Sequence, residues 1–88
     1  MKQNSFISED LDFAGLDRMR EHYGVSQAAL CQRMGINNST YCRWKRRILV
    51  EGQDWSPKTY SMIALRHALS SLIGEKVRTL DRHPAAAE

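Results

Sequence analysis

The apolar residues of this chain recur at steps of three and four positions, which is the period of an α-helix. Between residues 8 and 23 the repeat consists of Phe13, Leu16, Met19 and Tyr23. Gly15 interrupts it at a cost of about 1 kcal/mol relative to Ala, so packing must justify this glycine or the helix begins later. Gly24 then provides a stop signal. The pattern predicts an all-α fold, a small bundle of four to five helices.

Residues 26–47 predict two short helices around one tight turn. Ser26 is a good N-cap, and Gly35 is suited to the left-handed conformation that often ends a helix. Between them, Leu30, Cys31 and Met34 fall on one side of the first helix. Ile36 then returns the chain to the core, and residues 37–39 offer a second N-cap.

The second of these helices has two different faces. Tyr41, Trp44, Lys45 and Ile48 share one face, whereas Ser39, Arg43 and Arg46 point the opposite way. An arginine can bind the O6 and N7 atoms of guanine, and an asparagine can pair with adenine. The second helix thus has an apolar inner face and an outer face of small polar residues and arginines. This pattern predicts a helix-turn-helix whose second helix reads the major groove.

The same stretch resembles the helix-turn-helix of the lambda-repressor-like family of phage, plasmid and bacterial repressors. The matching residues are Gln27, Leu30, Met34, Gly35, Ile36, Tyr41 and Trp44. The likeness extends with its flanking helices over residues 10–73, and it departs from the family at Cys31, where alanine is usual. The resemblance implies that Gln27 contacts the DNA backbone and the first bases, and that Asn38, Ser39 and Arg43 face the bases.

Charge is distributed unevenly. Thirteen Lys and Arg against ten Asp and Glu give a net charge of only +3, but four cations fall between positions 43 and 47, and acidic residues cluster at positions 9–12. A local basic patch focuses attraction for phosphate, although such a run can also be a solvated helix end. We expect double-stranded DNA to be bound by Gln27, Asn37, Asn38, Ser39, Thr40, Cys42, Arg43, Lys45, Arg46 and Arg47.

The segment 57–82 predicts a long amphipathic helix that starts at Ser56-Pro57. Gly74 and His83-Pro84 are its candidate ends. Its apolar face is too broad for one contact, so it either lies entirely inside the domain or also forms a homodimer surface. We favour some role in dimerisation, with the candidate residues Ile63, Leu65, Leu69, Leu72 and Ile73.

Between these segments, residues 48–55 predict an extended piece or turn, with Trp55 as a core plug. Residues 49–55 also bear a weaker likeness to the wing region of phage excisionases. This keeps an excision factor open beside the leading prediction, a homodimeric transcriptional repressor on a palindromic operator. An antitoxin-type regulator and a protein-interaction module without DNA specificity are further alternatives.

Signals for other functions are missing from the sequence. It has no Gly-rich phosphate loop, nucleophile elbow or His-containing metal motif, so we expect no enzyme, cofactor, metal or small-molecule substrate. Cys31 and Cys42 have neither a CxxC spacing nor a histidine partner, and we expect the first to be buried and the second to lie beside the DNA face. With no signal peptide or membrane span visible, we expect a single cytoplasmic domain over residues 1–88.

Overall fold

A computed structural model describes the backbone of residues 11–87 and the side chains of residues 11–78. It contains α1 (Phe13–His22), α2 (Gln27–Met34), α3 (Asn38–Lys45), a π-helical turn (Arg46–Val50) and α4 (Thr59–Ala87). No strand occurs in this part of the chain, and the predicted all-α class is confirmed. Glu9 and Asp10 of the acidic cluster lie outside the described residues.

Helix α1 begins at Phe13, the first residue of the apolar repeat. Asp12 is its N-cap, and the Asp12 carboxylate accepts a hydrogen bond of 2.9 Å from the Gly15 amide. A Cβ at Gly15 would lie 2.9 Å from Leu11 Cδ2, so a larger residue here would require the Leu11 side chain to move. Gly24, with φ +71°, follows the helix as the sequence predicted.

Helix α2 has the predicted caps at both of its ends. The Ser26 hydroxyl accepts a hydrogen bond from the Ala29 amide, and Gly35 adopts φ +80° at the end of α2. The amides of Gly35 and Ile36 both donate to the carbonyl of Cys31. The turn between α2 and α3 therefore takes only residues 35–37. Ile36 packs against the core, as expected. These features are compatible with a helix-turn-helix.

Helix α4 closes the core from the side of α1 and α2. Leu65, Leu69 and Ile73 are almost completely buried within the chain, and Leu72 is half-buried against the same cluster. On the exposed side, Arg33 of α2 donates to Ser71 at 2.6 Å and to the Glu75 carboxylate at 2.9 Å. The assignment of Leu65, Leu69 and Ile73 to a dimer surface is therefore wrong, because the domain's own core occupies them.

The bounds of α4 also differ from those predicted. It starts at Thr59, because the Ser56 hydroxyl donates to the Pro57 carbonyl and does not cap the helix. It passes Gly74, whose cost of about 1 kcal/mol is offset by burial of the adjacent Ile73 and packing of Val77. It also continues beyond Pro84, which removes a single N–H donor near the helix end.

The sequence predicted an extended piece or a turn over residues 48–55; residues 48–50 are instead helical, whereas residues 51–55 are not. The Glu51 amide donates to the carbonyl of Arg46 at 2.8 Å, a five-residue step that widens the helix into a π-turn. The Gln53 amide then donates to the Arg47 carbonyl, and Gly52 at φ +65° reverses the chain. Trp55 is half-buried and belongs to this reversal, so it is not the core plug that we expected.

Three aromatic rings pack where α1 meets α3. Phe13 lies 5.1 Å from the ring centroid of Tyr41 and 6.1 Å from that of Trp44 in an edge-on arrangement. Tyr41 is completely buried, whereas Trp44 is half-buried against the core. Both rings hold the inner face of α3 on α1, which leaves the opposite face of α3 toward solvent.

Two charged residues occupy the core face of α1. Asp17 and Arg20 have relative exposures of only 3% and 7%. Asp17 Oδ1 accepts hydrogen bonds from Arg20 Nε at 2.9 Å and from the Tyr41 hydroxyl at 2.8 Å. Arg20 also donates to the Val25 carbonyl at 2.9 Å, just before α2. The apolar repeat did not reveal this network, although positions 13, 16, 17 and 20 form one helical stripe.

The network shifts the pKa values of Tyr41 and Arg20. Burial, followed by the hydrogen bond to the Asp17 carboxylate, raises the pKa of the Tyr41 phenol far above its ordinary value. Burial alone would lower the pKa of Arg20, but the hydrogen bond and negative charge of Asp17 outweigh it and raise this pKa. The tyrosine therefore stays neutral and the guanidinium stays charged in the folded protein.

Asp17→Ala should lower the free energy of unfolding by about 3–5 kcal/mol, because it leaves a buried guanidinium without its carboxylate. Urea denaturation followed by circular dichroism measures this loss. Glu21→Ala is the matched control, since it removes the exposed carboxylate that pairs with the same Arg20 at 3.4 Å and should cost less than about 1 kcal/mol. Equal effects of the two substitutions would contradict a buried network.

Tyr41 should make the fold sensitive to alkali. Because its folded-state pKa is raised, its stabilising contribution is complete below about pH 10 and falls by about 1.4 kcal/mol per unit as pH rises above that value. Tyr41→Phe loses about 1–2 kcal/mol at neutral pH with the hydrogen bond, but it escapes the alkaline loss. Unfolding free energies measured against pH should therefore converge for the two proteins, and parallel curves would contradict this assignment.

Candidate nucleic-acid interface

Helix α3 and the first residue of the π-turn present an outer face of Ser39, Arg43 and Arg46, all three of which are exposed. Tyr41 and Trp44 are anchored on the opposite side, so the outward direction of these three side chains follows from the helical period. The face combines two guanidinium groups with a small hydroxyl near the start of the helix. It matches the face that the sequence predicted for contact with DNA bases.

A second row of α3 is tied to α2 through Gln27. The Gln27 side-chain amide donates to Asn38 Oδ1 at 2.9 Å and contacts Cys42 Sγ at 3.1 Å, while its oxygen accepts from Lys45 Nζ at 3.2 Å. Asn38, Cys42 and Lys45 lie one helical turn apart along this row. Four of the predicted contact residues thus form one polar row beside the outer face, and this row fixes the start of α2 against α3.

The remaining predicted residues occupy different surroundings. Asn37 is exposed and is the N-cap of α3, but its side chain makes no capping hydrogen bond. Thr40 and Arg47 are half-buried. The guanidinium of Arg47 lies 4.1 Å above the ring of Trp55, and its Nε donates to Gln53 Oε1 at 3.0 Å. The sequence did not predict that Gln53 lies beside Arg47, and it predicted Trp55 in the core. Gly52, at φ +65°, is the sequence signal that the chain reverses toward Arg47.

The two cysteines differ as the sequence predicted. Cys31 is buried, and burial raises the pKa of its thiol, with a smaller contribution from Cys42. Cys42 is exposed in the row that Gln27 contacts. Both thiols are free.

Large apolar side chains are exposed in two places among the described residues. Leu49 and Val50 follow α3 in the π-turn, and Tyr60 and Ile63 lie one turn apart near the start of α4. Of the five residues predicted for a dimer surface, Ile63 alone is exposed as a large apolar side chain, at 46%.

Other possible sites offer little chemistry. A groove of about 490 Å³ runs between the start of α2 and α4, and Val25, Ala29, Leu72, Glu75 and Lys76 contribute to its lining. Within the described residues, no three His, Cys, Asp or Glu side chains cluster closely enough to hold a metal ion. None of the helices described here combines the length and apolar content needed to cross a membrane.

Comparison with known proteins found no matching family model, no matching curated protein and no matching solved structure. The resemblance to lambda-repressor-like proteins therefore stays a prediction from the motif residues.

The cysteines test the packing of α2 on α3. One thiol per molecule, that of Cys42, should react rapidly with an aromatic disulfide reagent at neutral pH, because Cys42 is exposed. Cys31 should react only when the protein opens or is denatured. Cys42→Ser should abolish the rapid phase and retain the slow one. Two rapidly reacting thiols in the wild-type protein would contradict the burial of Cys31.

Proposed function

We propose that the protein is a sequence-specific DNA-binding regulator of transcription that inserts α3 into the major groove. The observation that supports this most strongly is the outer face of α3, where Ser39, Arg43 and Arg46 are exposed above a buried aromatic anchor. Arginine side chains on such a face are suited to the O6 and N7 atoms of guanine. The start of α2 and the basic end of α3 would lie along the flanking phosphates.

The contacts of the polar row suggest how the two helices act together. Gln27 is held at the first position of α2 by Asn38 and Lys45, so α2 and α3 approach DNA as one unit. The residues nearest to the groove would be those at the start of α3, namely Asn37, Asn38, Ser39 and Thr40. Further along the chain would follow the arginines Arg43, Arg46 and Arg47. Lys45 would contribute mainly through its charge, because its ammonium group is engaged by Gln27.

The regulator would act as a homodimer on an operator with two inverted half-sites, with reader helices about 34–36 Å apart. Repression would be steric, by exclusion of polymerase from the promoter, in the cytoplasm of a bacterial cell. Ile63 and Tyr60 of α4 are exposed apolar side chains that a partner copy can cover, whereas the buried residues of α4 are not available to it.

Selection of bound sequences from a random duplex pool tests the proposal directly. Two inverted half-sites about ten base pairs apart are expected for a dimer of this kind. Direct repeats would instead favour the excision factor. Recovery of no motif, with binding that disappears uniformly as salt rises, would contradict sequence-specific recognition and favour a basic surface for a protein partner.

Arg43→Ala should weaken binding to the selected site by about 1–3 kcal/mol and relax the preference at one base pair. Fluorescence anisotropy on the selected duplex and on a scrambled duplex measures both effects. Arg18→Ala, which removes an exposed arginine from α1, is the matched control and should leave the preference unchanged. Equal losses on the two duplexes for Arg43→Ala would exclude this residue from base readout.

A further inference from the structure

The reversal after α3 holds one arginine in an unusually defined position. The Arg47 guanidinium lies 4.1 Å from the centroid of the Trp55 ring, and its Nε donates to Gln53 Oε1 at 3.0 Å. Gln53 is oriented in turn, because its amide nitrogen donates to Glu51 Oε1 at 2.8 Å. The side chain is thus fixed from one face and from one edge, which restricts rotations that an exposed arginine normally makes.

The backbone of the reversal supports the same arrangement. The amides of Glu51 and Gln53 donate to the carbonyls of Arg46 and Arg47, both at 2.8 Å, and Gly52 supplies the left-handed residue between them. These bonds bring Trp55 back over the end of α3. The loop and the arginine therefore form one local unit, which we call the Arg47 clamp (Arg47, Glu51, Gln53 and Trp55).

The clamp leaves the outer edge of the guanidinium available. The contacts of Arg47 use its Nε and its flat face, and no partner for Nη1 or Nη2 is found among the residues that the structure describes. These two nitrogens form the fork that binds a phosphate group in two parallel hydrogen bonds. Arg43, four residues earlier, and the adjacent Arg46 are exposed and add positive charge to this part of the chain.

We propose that the Arg47 clamp is a preorganised phosphate-binding site that anchors the DNA backbone next to the reader helix. Trp55 and Gln53 act as positioning residues, and Arg47 alone contacts the phosphate. This inference rests on the proposed function and adds to it a named anchor that is independent of base sequence. Trp55 is assigned no contact with a base.

A double-mutant cycle on Arg47 and Trp55 tests the inference, with binding measured on the selected and scrambled duplexes across a salt series. Arg47→Ala should weaken both complexes alike and reduce the log–log salt slope by about 0.9, the value for one phosphate contact. Trp55→Leu, which retains an apolar side chain, should weaken both complexes roughly two- to fivefold, as expected for loss of an exposed cation–π contact. In the Arg47→Ala background, Trp55→Leu should have no further effect.

Two variants separate positioning from a merely structural role. Trp55→Phe keeps an aromatic face and should restore most of the affinity that Trp55→Leu loses. Arg47→Lys keeps the charge but not the planar fork, so it should keep the salt slope while losing affinity. Thermal unfolding of each variant should give melting temperatures close to that of the wild-type protein, because the clamp lies at the surface.

The possible failures are distinguishable. If wild-type protein binds no duplex, both the proposed function and the clamp are overturned. If wild-type protein binds its selected site and Arg47→Ala leaves affinity and salt slope unchanged, the clamp alone is overturned. A loss for Trp55→Leu that persists in the Arg47→Ala background would mean that Trp55 itself contacts DNA, and a loss that follows a lowered melting temperature would mean that it only supports the fold. Either result also overturns the clamp.

Discussion

Asp17 accepts hydrogen bonds from Tyr41 on α3 and from Arg20 on its own helix, and Arg20 donates onward to the Val25 carbonyl before α2. The buried carboxylate thereby joins α1 to α3, and Arg20 extends the network to the loop before α2. Apolar packing alone would allow α3 to rotate or slide on α1, because its energy depends weakly on direction. The Tyr41–Asp17 bond removes that freedom, since a rotated helix would leave the buried Tyr41 phenol without its hydrogen-bond partner.

The outer surface follows from this constraint. With Tyr41 fixed and Trp44 packed against Phe13, the helical period directs Ser39, Arg43 and Arg46 outward. Gln27 adds a second connection at the opposite edge of α3, through Asn38 and Lys45. A surface that binds a rigid groove needs its side chains at defined positions before contact, because each ordering step subtracts from affinity. The inner network therefore sets the geometry of the outer face.

Local signals in the sequence predicted most of this hairpin. Ser26, Gly24 and Gly35 act on their immediate neighbours, so their roles could be deduced from residue type and spacing alone. The Asp17–Arg20 pair escaped prediction because an apolar repeat does not count charged residues, and the deciding partner, Tyr41, lies 24 positions away. The broad apolar face of α4 was ambiguous for a similar reason: how much of it the other helices cover depends on their packing. The π-turn depends on five-residue hydrogen bonding, such as that from the Glu51 amide to the Arg46 carbonyl, which no propensity indicates.

The separation of the two faces of α3 has a consequence for how such a domain can diversify. The side chains of Ser39, Arg43 and Arg46 make no hydrogen bond or ion pair within the described part of the chain, and exposed substitutions of this kind usually change stability by less than about 0.5 kcal/mol. Mutations at these positions can therefore accumulate without a compensating change in the core. The fold acts as a constant support for a variable outer surface, whereas a single change at Asp17, Arg20 or Tyr41 removes a buried hydrogen bond and costs stability.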